Sequence, residues 1–243
     1  MARERYLVGI SEEELRPDPK FDEPKTPKGK WENYWYHYKW QTFGVLAAAL
    51  ILTVFIYQMA NRPKYDYEVI IAVESYVGAP AQEYMRKELE KYGRDLNGDG
   101  EVKIGLQTLN LGETDPQMMQ AAQTKLMVSL STADVMFFIF DEPIYNMRFG
   151  KNDRNPEPID FFAPIGLDNP DISPEFHYWN WKNFPLRNEP EMISPYTGQP
   201  ELPLDLYFGV RKATGSAEKR TDMQEECLEL LRNFITGTVP VSE

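Results

Sequence analysis

Nineteen consecutive residues, Thr42–Ala60 (TFGVLAAALILTVFIYQMA), carry no charged side chain, and no other feature limits the fold of this chain as strongly. As a helix they span roughly 28 Å, close to the ~30 Å hydrocarbon thickness of a bilayer. Leu, Ile, Val and Ala run right round that helix, leaving no polar face to turn towards water. The segment therefore reads as a transmembrane helix rather than a buried core helix. Its flanks agree. WENYWYHYKW (31–40) places Trp31, Tyr34, Trp35, Tyr36, Tyr38 and Trp40 where interfacial aromatics belong, and the first partner implied is membrane lipid. Lys25, Lys28, Lys30 and Lys39 precede the span, and Arg62 and Lys64 follow it. That bias predicts a cytoplasmic N-terminus and a C-terminal domain outside, in a single-pass cell-membrane protein. The apolar run starts more than forty residues in and no small-x-small site follows it, so it is read as an uncleaved anchor.

The span divides the chain into three parts: a cytoplasmic tail (1–41) with an aromatic juxtamembrane end, the helix (42–60), and an extracytoplasmic domain (65–243). Residues 1–30 are charged and proline-rich, and disorder is expected there, with at most a short helix at Ser11–Leu15. Residues 1–64 hold ten basic and eight acidic side chains; residues 65–243 hold 16 and 30, a net of −14. An excess of that sign repels phosphate backbones and excludes nucleic acid as a partner of the larger part. The single Cys227 rules out an intramolecular disulfide.

Beyond Tyr65 the pattern is α/β. YEVIIAVES (67–75) is an apolar, β-branched strand. PAQEYMRKELEKYG (80–93) is a helix with Ala81, Tyr84, Met85, Leu89 and Tyr92 on one face. EVKIGLQTL (101–109) alternates as a half-buried strand should. PQMMQAAQTKLMVSLS (116–131) is a helix with Met119, Ala122, Leu126 and Leu130 inward, and VMFFIFDE (135–142) is a third strand. PLDLYFGVRK (203–212) and SAEKRTDMQEECLELLRNFITG (216–237) add a strand and a closing helix, with Cys227 read as core. The order predicts one open, mostly parallel sheet with helices on both faces. Residues 143–202, rich in Pro, Asn and aromatics, read as an irregular insertion.

The succession of a strand, a helix ending in YGRDLNGDGEVKI, a second strand and QTKLMVSLSTADVMFFIFDE resembles the first lobe of bacterial extracellular solute-binding proteins of transport systems. LYFGVRKATGSAEKRTDMQEECLELLRNFITG is similar to that family's returning strand and late helix. The resemblance covers 67–142 and 203–237. Relative to the family the chain is membrane-anchored and truncated, with only 143–202 where a second lobe would stand. It implies an extracytoplasmic binding or sensing module for a small solute or peptide. The alternative is a structural or accessory subunit of a membrane or envelope complex, with a membrane-protein partner and no solute binding.

Open parallel sheets bind ligands beyond the carboxyl ends of their strands. The candidates there are Glu74, Ser75 and Tyr76 after the first strand, and Asp141 and Glu142 after the third. Adjacent acids on a strand point to opposite faces, so 141–142 is not a catalytic dyad, and no nucleophile elbow, phosphate loop, HExxH or CxxC motif points to an enzyme. In FHYWNWKNF (176–184), Trp179 and Trp181 either stack on a ligand or form a satellite core beneath the insertion. A binding module predicts an open concavity approached by these tryptophans; an accessory subunit predicts that the insertion fills it.

DLNGDGEVKI (95–104) matches the first half of a calcium loop, with Asp95, Asn97 and Asp99 at positions one, three and five and the Glu101 carbonyl at seven. Position twelve, which needs a bidentate carboxylate, is Leu106, and the loop leads into a strand. A helix-to-strand turn is the reading adopted; a weak calcium site is the alternative, and no other cofactor is expected.

Overall fold

The computed structural model describes residues 26–60, 64–153 and 155–240; the expected tail helix at Ser11–Leu15 lies outside them. Two compact units result, Met1–Pro63 and Lys64–Glu243. In the first, α1 (Pro27–Ala60) is one continuous helix. The aromatic stretch forms the opening turns of this helix and is not a separate non-helical flank. Stacked pairs such as Tyr34–Tyr38, 5.4 Å between centroids, follow the i,i+4 spacing of its surface. Among the described residues α1 alone is long and apolar enough to cross a membrane, and none of its most apolar window is buried.

The second unit runs β1 (Tyr67–Val73), α2 (Ala79–Glu90), β2 (Ile104–Asn110), α3 (Pro116–Thr132), β3 (Phe137–Asp141), α4 (Glu142–Arg148), β4 (Trp179–Asn180), β5 (Leu206–Val210) and α5 (Thr221–Thr236). Local chemistry sets the helix bounds. Asp115 caps α3 by accepting from the Gln117 N–H at 2.8 Å, with Pro116 as its first residue. Gly237, at φ 70°, ends α5 in the left-handed region where a glycine costs least. Ala81, Met85 and Leu89 of α2, and Cys227, Leu230, Leu231 and Phe234 of α5, are buried on one stripe each. Burial pushes the Cys227 thiol up to about 12, as befits a core residue.

The strands are ordered β2-β1-β3-β5-β4. β1 pairs in parallel with both β2 and β3, but β5 is antiparallel to β3, and β4 to β5. The mostly parallel sheet expected from the sequence is therefore corrected to a mixed one. The cause is the return path. Leu206 opens β5 opposite Asp141, the last residue of β3, so the chain re-enters at the carboxyl end of β3 and runs back. No crossover carries it to the other end, which a parallel partner would require. The insertion is also less irregular than expected: α4 opens it directly, and a short β4 extends the sheet.

Apolar side chains fill both faces. α2, α5 and the segments around Ala163, Trp179 and Leu202 cover one face; α3, α4 and Phe162 cover the other. β1 and β3 lie between them, as their near-unbroken apolar runs require.

Candidate functional site

At the carboxyl ends of β1 and β3 the structure brings together Glu74, Ser75, Asp141 and Glu142 on one side of an open depression of about 420 Å³. The 200–205 segment forms its other side. The four residues differ in what they can do. Asp141 is 3% exposed. Its Oδ2 accepts from the Glu74 N–H at 2.6 Å and its Oδ1 from the Ile144 N–H at 3.1 Å. It thus locks the end of β1 to β3 and caps α4, with Pro143 in the first turn. Desolvation raises its pKa, and the two backbone donors pull the other way without reversing the shift. Glu74, Ser75 and Glu142 are exposed. Tyr76 is 73% exposed and lies outside the lining.

The far wall belongs to the insertion. Glu201 Oε2 accepts from the Gly78 N–H at 2.6 Å, at the N-cap of α2. That position, with its unpaired N–H groups and the positive end of the helix dipole, attracts an anion, and here the chain's own carboxylate occupies it. A Cβ at residue 78 would overlap that carboxylate, so a larger residue there would make the flexible Glu201 side chain shift. Buried Met192 and Leu202 anchor the segment, and the Glu201 N–H donates to the Met192 carbonyl at 2.9 Å.

Trp179 and Trp181 do not reach the depression. They are 3% and 0% exposed, packed with Phe208 at 5.2 and 5.8 Å between ring centroids, and the Trp181 indole N–H donates to the Pro203 carbonyl at 3.1 Å. They belong to the main core rather than to a binding wall or a satellite cluster. Trp179 lies on β4 and Trp181 opens the 3-10 turn that follows it, and both enter the same core cluster.

At the opposite end of the sheet, the DLNGDG loop is held by its own amides. Asp95 accepts from Gly98 (2.6 Å) and Gly100 (2.7 Å), Asn97 from Asp99 (3.0 Å), and Asp99 from Glu101 (3.0 Å). The Lys103 ammonium bridges Asp99 at 2.8 Å and Glu101 at 3.0 Å, raising the lysine pKa and, with the Glu101 N–H, lowering that of Asp99. Gly98 and Gly100 supply the positive φ of the turn, 75° and 88°. Among the described residues no group of three or more His, Cys, Asp or Glu side chains is placed to hold a metal ion.

Two residues absent from the sequence reading matter most. Asp66, 3% exposed, accepts from the amides of Leu96 (2.9 Å), Asn97 (3.0 Å) and Lys103 (2.8 Å), fastening the loop to the start of β1. Its one sequence signal is an acid set directly before an apolar strand. Glu201 had none, because its partner is 123 positions away. Comparison with family models, curated proteins and solved structures gives no match in any of the three.

Proposed function

We propose that this chain is a membrane-anchored, non-catalytic accessory subunit of a membrane or envelope complex. Its N-terminal tail is cytoplasmic, its α/β unit lies outside, and it works through protein contact rather than solute capture. The resemblance to one lobe of a solute-binding protein is kept as a proposal about the origin of the fold. The observation that carries the reading is Glu201. A carboxylate from the chain's own insertion holds the α2 N-terminus, where a sheet of this kind would receive an anionic ligand. Asp141 is committed to two backbone amides, and the tryptophans are committed to the core. The DLNGDG loop is read as a structural turn.

A second reading rests on the depression itself. Its volume falls in the range of small-molecule sites, and exposed Glu74 and Glu142 would suit a solute or peptide bearing an amine. Thermal unfolding of the full chain in detergent, against sugars, amino acids and short peptides, separates the two. The accessory reading expects an unchanged midpoint throughout. A ligand at a hundredfold excess over Kd would add about 2.7 kcal/mol, and a midpoint rise with one solute class would replace the accessory reading with the binding module.

A further inference from the structure

The two edges of the sheet are finished differently. Beyond β4 the chain closes its own edge: the Asn180 N–H donates to the Asp171 carbonyl at 2.8 Å, the Ser173 N–H to Tyr178 at 2.8 Å, and Ile172 bridges Trp179. β2, at the other edge, is left open. The Tyr67 N–H donates to Lys103 and the Leu111 N–H to Val73, so odd-numbered residues of β2 face β1 and even-numbered ones face away. The Ile104 N–H confirms the parity, since it turns outward to Glu90 Oε1 at 3.1 Å. Next along the strand, the outward N–H and C=O groups of Leu106, Thr108 and Asn110 meet no partner among the described residues. Residues 105–108 are half-exposed.

Open edges are usually protected by a charge, a proline, a bulge or shortness. β2 has seven residues, and 104–112 (IGLQTLNLG) contain no charge and no proline. The strand is regular, paired residue for residue with β1. α3, which packs on β2, has Lys125 as its only charged side chain in 17 residues. β2 is thus an uncharged strand among residues 65–243, which sum to −14; the acids at its ends are Glu90, paired with Arg86, and Glu113.

We propose that β2 pairs with β2 of a second copy of this chain, antiparallel, about a two-fold axis at Thr108, joining two sheets into one. That register is fixed by the free groups. With Thr108 opposite its own symmetry mate, Leu106 faces Asn110 and Asn110 faces Leu106, so all three outward residues exchange hydrogen bonds, about six in total, and Ile104 keeps Glu90. Charge selects the occupant. Two copies of so acidic a unit repel least where the facing strand is uncharged, and the one carboxylate on the outward amides of β2, Glu90, is already paired with Arg86 rather than left for a basic peptide. Anchoring in one membrane raises the effective concentration of copies for each other. The inference does not depend on whether the unit binds a solute.

The test uses the full chain in lipid nanodiscs and native membranes. Thr108→Pro removes an outward N–H that the monomer does not use, and proline is tolerated on such an edge. Dimers of the parent chain should be lost in this variant while its melting midpoint stays. Cysteine cross-linking reads the register independently. Opposed Thr108→Cys residues lie about 5.5 Å apart between Cα atoms, within disulfide range. Leu106→Cys mates lie roughly 14 Å apart and should not link. If the proline variant melts early, the cysteine pair decides alone. A parent chain monomeric at every density overturns the proposal. So does a folded proline variant that still dimerises, or a Leu106→Cys variant that links as readily as Thr108→Cys.

Discussion

The unit has an acid-bearing turn at each end of its sheet, and they are built on one plan with different depth. At the amino ends of β1 and β2, buried Asp66 gathers three amides of the 95–103 loop. At the carboxyl ends of β1 and β3, buried Asp141 gathers two, and half-buried Glu201 adds one at α2. In both turns a carboxylate that resembles a ligand from the sequence, Asp95 at one end and Asp141 at the other, is answered by the chain's own N–H groups, while Glu74 and Glu142 stay exposed. The difference lies in where the holding acid sits. At the amino end the visible motif, Asp95 to Asp99, is exposed and local, while the fastening comes from Asp66 outside it. At the carboxyl end the visible acid Asp141 is itself the fastener. A motif's acids and a turn's structural acids need not be the same residues.

If that contrast holds, Asp66→Ala gives the largest loss. It leaves three amides without their acceptor in part-buried hydrogen bonds, at a cost of about 3 kcal/mol, read as a fall in the urea midpoint with unchanged slope. A loss no greater than that of Asp95→Ala would break the contrast, showing that the local Asx turns hold the loop unaided.

Asp141→Ala comes next, at about 2 kcal/mol, for one helix cap and one strand-end bond. Its pH dependence sharpens the point. Burial raises the folded pKa of Asp141, so the folded chain holds this proton more tightly than the unfolded one. The parent chain should therefore gain stability relative to Asp141→Asn as pH falls from 7 towards 4, and lose that gain as pH rises through the folded pKa. Equilibrium unfolding of both proteins across that range checks the sign; a gap that widens the other way would mean the carboxylate is stabilised in the fold.

These acids also mark how far the sequence could be read. Periodicity located β1, α2, β3 and α5 because each has a buried stripe or an unbroken apolar run matching its geometry, and α3 although Leu126 alone of its stripe is fully buried. It missed α4, whose seven residues hold too few turns to show a period and whose start is signalled only by Asp141 and Pro143. Strand direction was lost for a different reason. A βα succession implies parallel pairing only while helices carry the crossovers, and here the path from Arg148 to Leu206 supplies none. At the candidate site, Glu74, Ser75, Asp141 and Glu142 were placed together by topology alone. Trp179 and Trp181 were not assignable, since an aromatic run reads the same over a core as over a ligand. Glu201 depends on a contact that only the folded chain creates.

Glu201→Ala tests the shallower turn. Loss of one charge-assisted bond at the α2 N-terminus should cost about 1 kcal/mol, less than either buried acid. The same change vacates the α2 N-terminus, so the variant should gain weak stabilisation by small carboxylates that the parent lacks. Acetate and glutarate titrated against the melting midpoint of both proteins would show it. No response in the variant would mean that the insertion closes the crevice by more than this carboxylate.

The smallest expected effect belongs to the motif that most resembles a site. Lys103 already bridges Asp99 and Glu101, and Asp95 faces the amides of Gly98 and Gly100. A calcium ion would have to displace that ammonium and still lack the bidentate acid whose place Leu106 takes. Millimolar calcium against EDTA should therefore leave the melting midpoint of the full chain unchanged, and Asp99→Ala should leave it nearly so. Lys103→Ala makes the comparison decisive, because it removes the internal cation while keeping every loop carboxylate. If calcium then stabilises the variant but not the parent, the loop has calcium-binding geometry and Lys103 suppresses it. If calcium stabilises the parent itself, the amino-end turn is a metal site after all, and the two ends of the sheet no longer share one plan.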